Sequence, residues 1–162
     1  MPSCYQIVTR STEWNAHNAD GMILNVDGSS LGNHGISGFG GLHRKDDGVW
    51  YCCFAGNIGF SNILHVELLA IYHGLRIAWE FGLLDLLCYS DSKSAIKLIK
   101  ESRFSRDWRV KVVHTLRKGN ACAYYLVKLG ASSSEAYQSF AAPPDGIIIL
   151  LLADASRISF SR

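Results

Sequence analysis

Residues 61–92, SNILHVELLAIYHGLRIAWEFGLLDLLCYSDS, change period once, and that change decides the fold. Leu64, Leu68, Ile71, Leu75 and Ala78 recur at the three- and four-residue spacing of one helix face. Ser61 is placed to cap the start of that helix and Gly82 to end it. Over 83–89 the chain becomes a short apolar run, as expected of a buried strand, and then meets the cap cluster Ser90-Asp91-Ser92. A short amphipathic helix is predicted over 93–101, with Ala95, Ile96, Leu98 and Ile99 turned inward.

Upstream, the runs 22–27, 38–43 and 49–60 suit strands. Glycine-rich or Asp-Gly breaks at 32–35 and 46–48 separate them, which predicts an antiparallel meander. Downstream, Trp108, Val110, Val112 and His114 alternate with Arg109, Lys111 and Val113, and a last helix over 120–129 is expected to stop at Gly130. The order β-β-β-α-β-α-β-α implies an α/β domain: one mixed sheet with helices on its faces. Residues 1–20 carry neither rhythm and read as a leader or linker stub, 21–131 as the domain, and 132–162 as a C-terminal tail.

At 162 residues, 48% of them hydrophobic, the chain has the size and apolar content of one domain. A charged fraction of 19% and a net charge of +2 give no polybasic signature, so a nucleic-acid partner has to be argued from a site. Five cysteines form an odd set without a CxxC pair, which predicts reduced thiols and no structural zinc. The aliphatic run 147–153 is too short to span a bilayer and residues 1–10 lack an apolar signal core. The expectation is a soluble, intracellular protein with no membrane association and no obligate protein partner.

Three carboxylates stand out. Asp27 ends an apolar strand on the face of Ile23 and Asn25; Asp27-Gly28 also reads as a hairpin turn, though Ser29 to His34 does not resume an alternating strand. Glu67, the only acid between Asp47 and Glu80, sits within a turn of Ile63, Leu64 and Ile71, where a stray glutamate beside a helix stripe is also common. Asp91 precedes a helix and is a natural N-cap. Taken together, two adjacent strands and the helix packed on them can bring all three to one end of the sheet. Crowded acids raise each other's pKa unless a cation reverses the field, and hard oxygen ligands of this kind suit Mg²⁺ and a phosphate-bearing substrate.

Five stretches then resemble the ribonuclease H family, and more closely the reverse-transcriptase-associated domains of plants: Leu24-Asn25-Val26-Asp27-Gly28-Ser29-Ser30, Gly38-Phe39-Gly40-Gly41, Glu67-Leu68-Leu69-Ala70-Ile71, Tyr89-Ser90-Asp91-Ser92 and His114-Thr115-Leu116-Arg117-Lys118-Gly119-Asn120. Each is short; their order and placement make the set specific. The resemblance implies a three-layer ribonuclease H-like fold with a five-stranded mixed sheet. It also implies a two-Mg²⁺ endonuclease (a hydrolase) that cuts the RNA strand of an RNA–DNA hybrid. By that resemblance Asp27, Glu67 and Asp91 are metal ligands, and His114 assists proton transfer or product release. Gly28, Ser29, Ser30, Asn33 and Asn120 contact substrate, where 2′-hydroxyls mark RNA. On spacing alone His114 reads equally as a strand-end histidine bonded to backbone, and the loop residues as turn formers.

Two departures from the family pattern follow. The last helix normally carries a fourth acid in Asn-x-x-Ala-Asp; here Asn120-Ala121-Cys122-Ala123-Tyr124 places a phenol there, neutral at pH 7 with a pKa near ~10 and a poor Mg²⁺ ligand. Related domains also insert a further helix where only residues 100–107 stand, which puts packing near Ile96 and Val112 in question. Three functions therefore compete: a nuclease weakened by Tyr124, a non-catalytic nucleic-acid-binding module, and a degenerate retrotransposon-derived remnant. The binding reading draws on a modest cluster, Arg103, Arg106, Arg109, Lys111, Arg117 and Lys118, though such clusters are more often solvated faces.

Overall fold

In the computed structural model, residues 6–8, 21–45, 49–99 and 108–152 are described. The central strand is β2 (Met22–Ser30), whose residues Met22 to Asp27 are all buried. It pairs antiparallel with β3 (Gly35–Lys45), which pairs with β4 (Trp50–Ser61). On its other side β2 runs parallel to β5 (Asp85–Ser90), and β5 to β6 (Arg109–His114). Helix α1 (Ile63–Glu80) leads from β4 to β5, and α2 (Lys93–Ile99) follows β5. Helix α3 (Ala121–Ser132) comes after β6 and lies chiefly against β3, β4 and β2.

The expected five strands are present, but the sheet has seven, in the order β1-β6-β5-β2-β3-β4-β7. β1 (Gln6–Val8) pairs parallel with β6, within the stretch expected to be a leader. β7 (Gln138–Phe140) pairs antiparallel with β4, within the stretch expected to be a tail, and Ile147 beyond it is fully buried against Leu42, Cys53 and Leu126. Each added strand has three residues, too few for alternation to register in sequence.

Of the expected core face of helix α1, Ile71, Leu75 and Ala78 are buried and Leu64 and Leu68 are half-buried against the core; Val66, Ala70 and Ile77, outside the expected set, are buried beside them. Its cap, however, is Asn62, whose side chain accepts from the His65 N–H at 2.9 Å, and not Ser61, which belongs to β4. Gly82 ends it as expected: at φ +68° it lets the Leu83 N–H return to the Ala78 carbonyl at 2.9 Å. Gly130 does not end α3. The helix runs on to Ser132, and a Cβ at Gly130 would lie 2.6 Å from the Gly56 carbonyl oxygen, so this glycine lets α3 lie directly on β4.

Ile96 and Val112 are 1% and 0% exposed, so the core closes around both despite the short connection before β6. Residues 100–107 themselves, Arg103 and Arg106 included, lie outside the described residues, as does the expected break at 46–48. Cys53, Cys88 and Cys122 are buried and Cys52 half-buried, all as free thiols; Cys4 lies outside the described residues. Burial pushes the Cys53 and Cys88 thiols up to about 12, which leaves them unreactive. No helix among the described residues is long and apolar enough to cross a membrane.

His43, on β3, is fully buried and joins the sheet to α1. Its Nε2 lies 2.9 Å from the Gly74 carbonyl, which can only accept, so Nε2 carries the proton and Nδ1 accepts from the Cys52 thiol at 3.5 Å. Burial pushes its pKa down from 6.5 to about 4. A depressed histidine gives stability that is complete above its unfolded pKa and is lost as pH falls toward the folded one. Between pH 6.5 and 4 the wild type is expected to lose roughly 3 kcal/mol relative to His43→Gln. Urea unfolding of both proteins across that range checks this, and identical pH profiles would refute it.

Candidate active site

Asp27 is not in a hairpin turn. It pairs with Gly40 in mid-ladder, and β2 continues to Ser30 before the short 3₁₀ turn Leu31–Asn33. One position on, Gly28 is the reason a helix can reach it: a Cβ there would lie 2.9 Å from the Glu67 nitrogen and the Val66 carbonyl carbon. The backbone of α1 thus rests on β2 without an intervening side chain, and Glu67 is delivered beside Asp27. Asp91 arrives from the end of β5, the parallel neighbour of β2. It is not needed as a cap, because the Ser92 hydroxyl accepts the Ala95 N–H at 3.2 Å and the Ser90 hydroxyl accepts the Ser92 N–H at 3.1 Å.

Ligand oxygens of Asp27, Glu67 and Asp91 all lie within 4.8 Å of one another. Asp27 and Glu67 are only 2% and 4% exposed. One Asp27 oxygen accepts the Gly28 N–H at 2.9 Å, while Glu67 Oε2 is buried without any hydrogen-bond partner. A buried carboxylate oxygen left unpartnered is costly, and it is what a cation site looks like before the cation is counted. Burial, then the charge of Asp91, pushes Asp27 up to about 7. Burial, then Asp27 and Asp91, pushes Glu67 up to about 9. Three oxygen donors of this kind fit Mg²⁺, which takes few protein ligands and completes its octahedron with water and phosphate.

The remaining expected site residues divide. His114 ends β6 in register with Ser90, at the same sheet edge as Asp91, but its ring is not among the converging ligand atoms. The Ser30 hydroxyl donates to the Ser61 carbonyl at 2.8 Å and ties the end of β2 to the end of β4, while Asn33, at φ +50°, accepts the Ile63 N–H at 2.9 Å and ties the β2–β3 turn to the start of α1; Ser29 is half-buried on β2 beside Ser30. Asn120 is a correction. Expected to meet substrate, it is 2% exposed and its amide is spent inside, donating to the Val26 carbonyl at 2.7 Å and accepting from Asn25 Nδ2 at 3.1 Å. Asn25 in turn accepts from Arg44 Nε at 3.1 Å. This buried chain fixes the start of α3 to the strand that carries Asp27. Nothing in the spacing of Asn25, Arg44 and Asn120 announced it.

The basic cluster also separates. Arg109 pairs with Asp85, Nη2 to Oδ2 2.6 Å, at the start of β6, whereas Arg117 follows the far end of that six-residue strand, about 20 Å away. Arg117 belongs to the acidic site: its Nε is 3.9 Å from Asp91 Oδ2, and its guanidinium lies over the Tyr124 ring, 5.5 Å from the centroid. The Lys128 ammonium lies 4.8 Å from the same centroid. Tyr124 therefore holds cations where the family pattern puts an acid.

The chain matches the family model described as reverse transcriptase-like over residues 25–130. It is 29% identical to a protein of Arabidopsis thaliana provisionally named a ribonuclease H protein, over 91% of this chain and 26% of that one, so it spans about a quarter of that relative's length. Among solved structures it resembles ribonuclease H1 of Halobacterium salinarum (21% identity, TM-score 0.59, 67% of this chain and 96% of that one). It also resembles LC11 ribonuclease H1, isolated from compost and solved with an RNA/DNA hybrid (21% identity, TM-score 0.61, 68% and 96%). At such identity those two structures speak for the fold. The strand order β6-β5-β2-β3-β4 and the likeness to those structures give the chain a ribonuclease H-like fold, and by the match across 25–130 it belongs to the reverse transcriptase-like family.

Proposed function

We propose that this chain is a ribonuclease H-type nucleic-acid-binding domain that hydrolyses the RNA strand of RNA–DNA hybrids with Mg²⁺, at a rate cut down by Tyr124. The observation that carries the reading is the convergence of Asp27, Glu67 and Asp91, with the Glu67 Oε2 buried and unpartnered. Those three residues would hold the ion. When bound, Mg²⁺ supplies Lewis-acid stabilisation of a phosphodiester oxygen. Asp27 and Glu67 must give up whatever proton they share for it to bind, so occupancy rises with pH. His114, at the same edge, is the group available to carry a proton to or from the reacting phosphate. A second ion would have Asp27 as its main anchor, since Tyr124 brings no carboxylate.

The second reading, a binding module without hydrolysis, is favoured by Tyr124 and its two cations. A labelled RNA–DNA hybrid incubated with Mg²⁺ separates the two. Slow cleavage by the wild type, at least ~100-fold slower cleavage by Asp27→Asn, and a gain of about tenfold or more in Tyr124→Asp support the nuclease. Hybrid binding with no cleavage by any of the three proteins selects the module.

A further inference from the structure

We infer that Arg117, Tyr124 and Lys128 form a phosphate subsite that grips the nucleic-acid backbone beside the acidic cluster. This deepens the nucleic-acid reading above and rests on it. Arg117 opens the 3₁₀ turn before α3, and Tyr124 and Lys128 are one helical turn apart on α3, so all three reach one patch of surface. The tyrosine ring is half-buried and fixed by its helix; its negative π-face draws in the guanidinium at 5.5 Å and the ammonium at 4.8 Å. Two like charges gathered over one ring repel each other; Arg117 is offset in part by the acidic cluster on one side, and Lys128 by no ion pair among the described residues. The Arg117 side chain is 73% exposed and touches an acid only at 3.9 Å, and Lys128 has no ion-pair partner among the described residues. An anion carrying more than one negative charge along its length is the ligand that such a pair of cations fits.

Position matters as much as charge. Because Arg117 also leans on Asp91, the patch borders the acids, and a phosphodiester chain crossing the sheet edge would meet both in succession. The tyrosine that weakens metal binding thereby organises backbone binding. Tyr124→Asp would trade one for the other: an added acid for the metal, and two cations drawn into an ion pair and lost to the phosphates.

The test is fluorescence anisotropy of a labelled RNA–DNA hybrid titrated with the full chain in EDTA, across salt concentrations, so that metal chemistry plays no part. Arg117→Ala and Lys128→Ala are each expected to weaken binding about 3- to 10-fold at ~0.1 M salt and to lower the salt slope by about one unit. Tyr124→Phe should bind as the wild type does, and Tyr124→Ala and Tyr124→Asp should weaken binding. Lys45→Ala is the control, exposed at the opposite end of the sheet opposite Met22. Wild-type binding with Arg117→Ala and Lys128→Ala indistinguishable from Lys45→Ala would overturn this inference alone. Absence of any hybrid binding by the wild type would overturn it together with the nucleic-acid reading.

Discussion

Glu67→Gln is expected to make the metal-free protein more stable at alkaline pH while removing its capacity for Mg²⁺. The glutamate is buried, one oxygen has no partner, and two further acids face it, so its pKa is pushed up from 4.5 to about 9. For an acid whose folded pKa lies above the unfolded one, stability is complete below pH ~4.5 and is lost as pH rises through the folded value. The shift would correspond to more, but the three acids share it, and about 3 kcal/mol at pH 8 is what a single neutralisation should recover. In a protein of this size that is an increase of roughly 6–12 °C in Tm. The His43 effect acts on both proteins alike and drops out of the comparison. Thermal unfolding in EDTA at pH 5, 7 and 9 should show the two curves converging at the acid end and parting at the alkaline end. Added Mg²⁺ should raise the wild-type Tm at pH 8 and leave Glu67→Gln nearly unmoved, by mass action on a site that only one of them has. Parallel pH profiles, or equal Mg²⁺ stabilisation, would remove the carboxylate cluster as the centre of the protein's chemistry.

How much of this was visible in the chain itself depended on how far each signal reaches along it. Helix α1 was legible because its core face repeats over 18 residues, and Gly82 because a left-handed stop needs only its own identity. The three acids were individually ambiguous, since a turn, a stray glutamate and a cap each explain one of them. Their order within five family stretches resolved what no single position could. Asn120 went astray because its partners, Asn25 and the Val26 carbonyl, are some 95 residues away, and an asparagine before a helix looks the same whether it points inward or out. The extra strands β1 and β7 were hidden because three residues that pair at a sheet edge need no alternation of their own. Tyr124 was noticed for what it lacks; of the cations it holds, Lys128 is one helical turn on, but Arg117 lies seven residues earlier in a different turn, where the periodicity of α3 does not reach.

Gly28 offers the sharpest separation between local preference and tertiary demand. In an ordinary strand position, replacing glycine by alanine or valine removes unfolded-state freedom and suits the extended backbone, so each change should stabilise by about 0.5–1 kcal/mol. Gly28 has no positive φ to protect, and on local grounds the substitutions should help. The packing argues the reverse. A Cβ would lie 2.9 Å from two backbone atoms of α1 and from the Val66 Cγ1; the side chain can turn away, but the helix backbone cannot. Gly28→Ala is expected to cost about 2 kcal/mol and Gly28→Val about 4 kcal/mol, both as overpacking that lifts α1 from β2. Because Glu67 rides on that segment of α1, the same displacement should weaken Mg²⁺ binding by tenfold or more in Gly28→Ala, which is expected still to fold. Urea denaturation gives the first quantity and Mg²⁺ titration by calorimetry the second. A Gly28→Ala protein as stable as the wild type, with unchanged Mg²⁺ affinity, would mean that Glu67 does not depend on the direct seating of helix on strand. If stability falls and metal affinity falls with it, one missing side chain sets both how tightly the layers pack and where the second carboxylate stands.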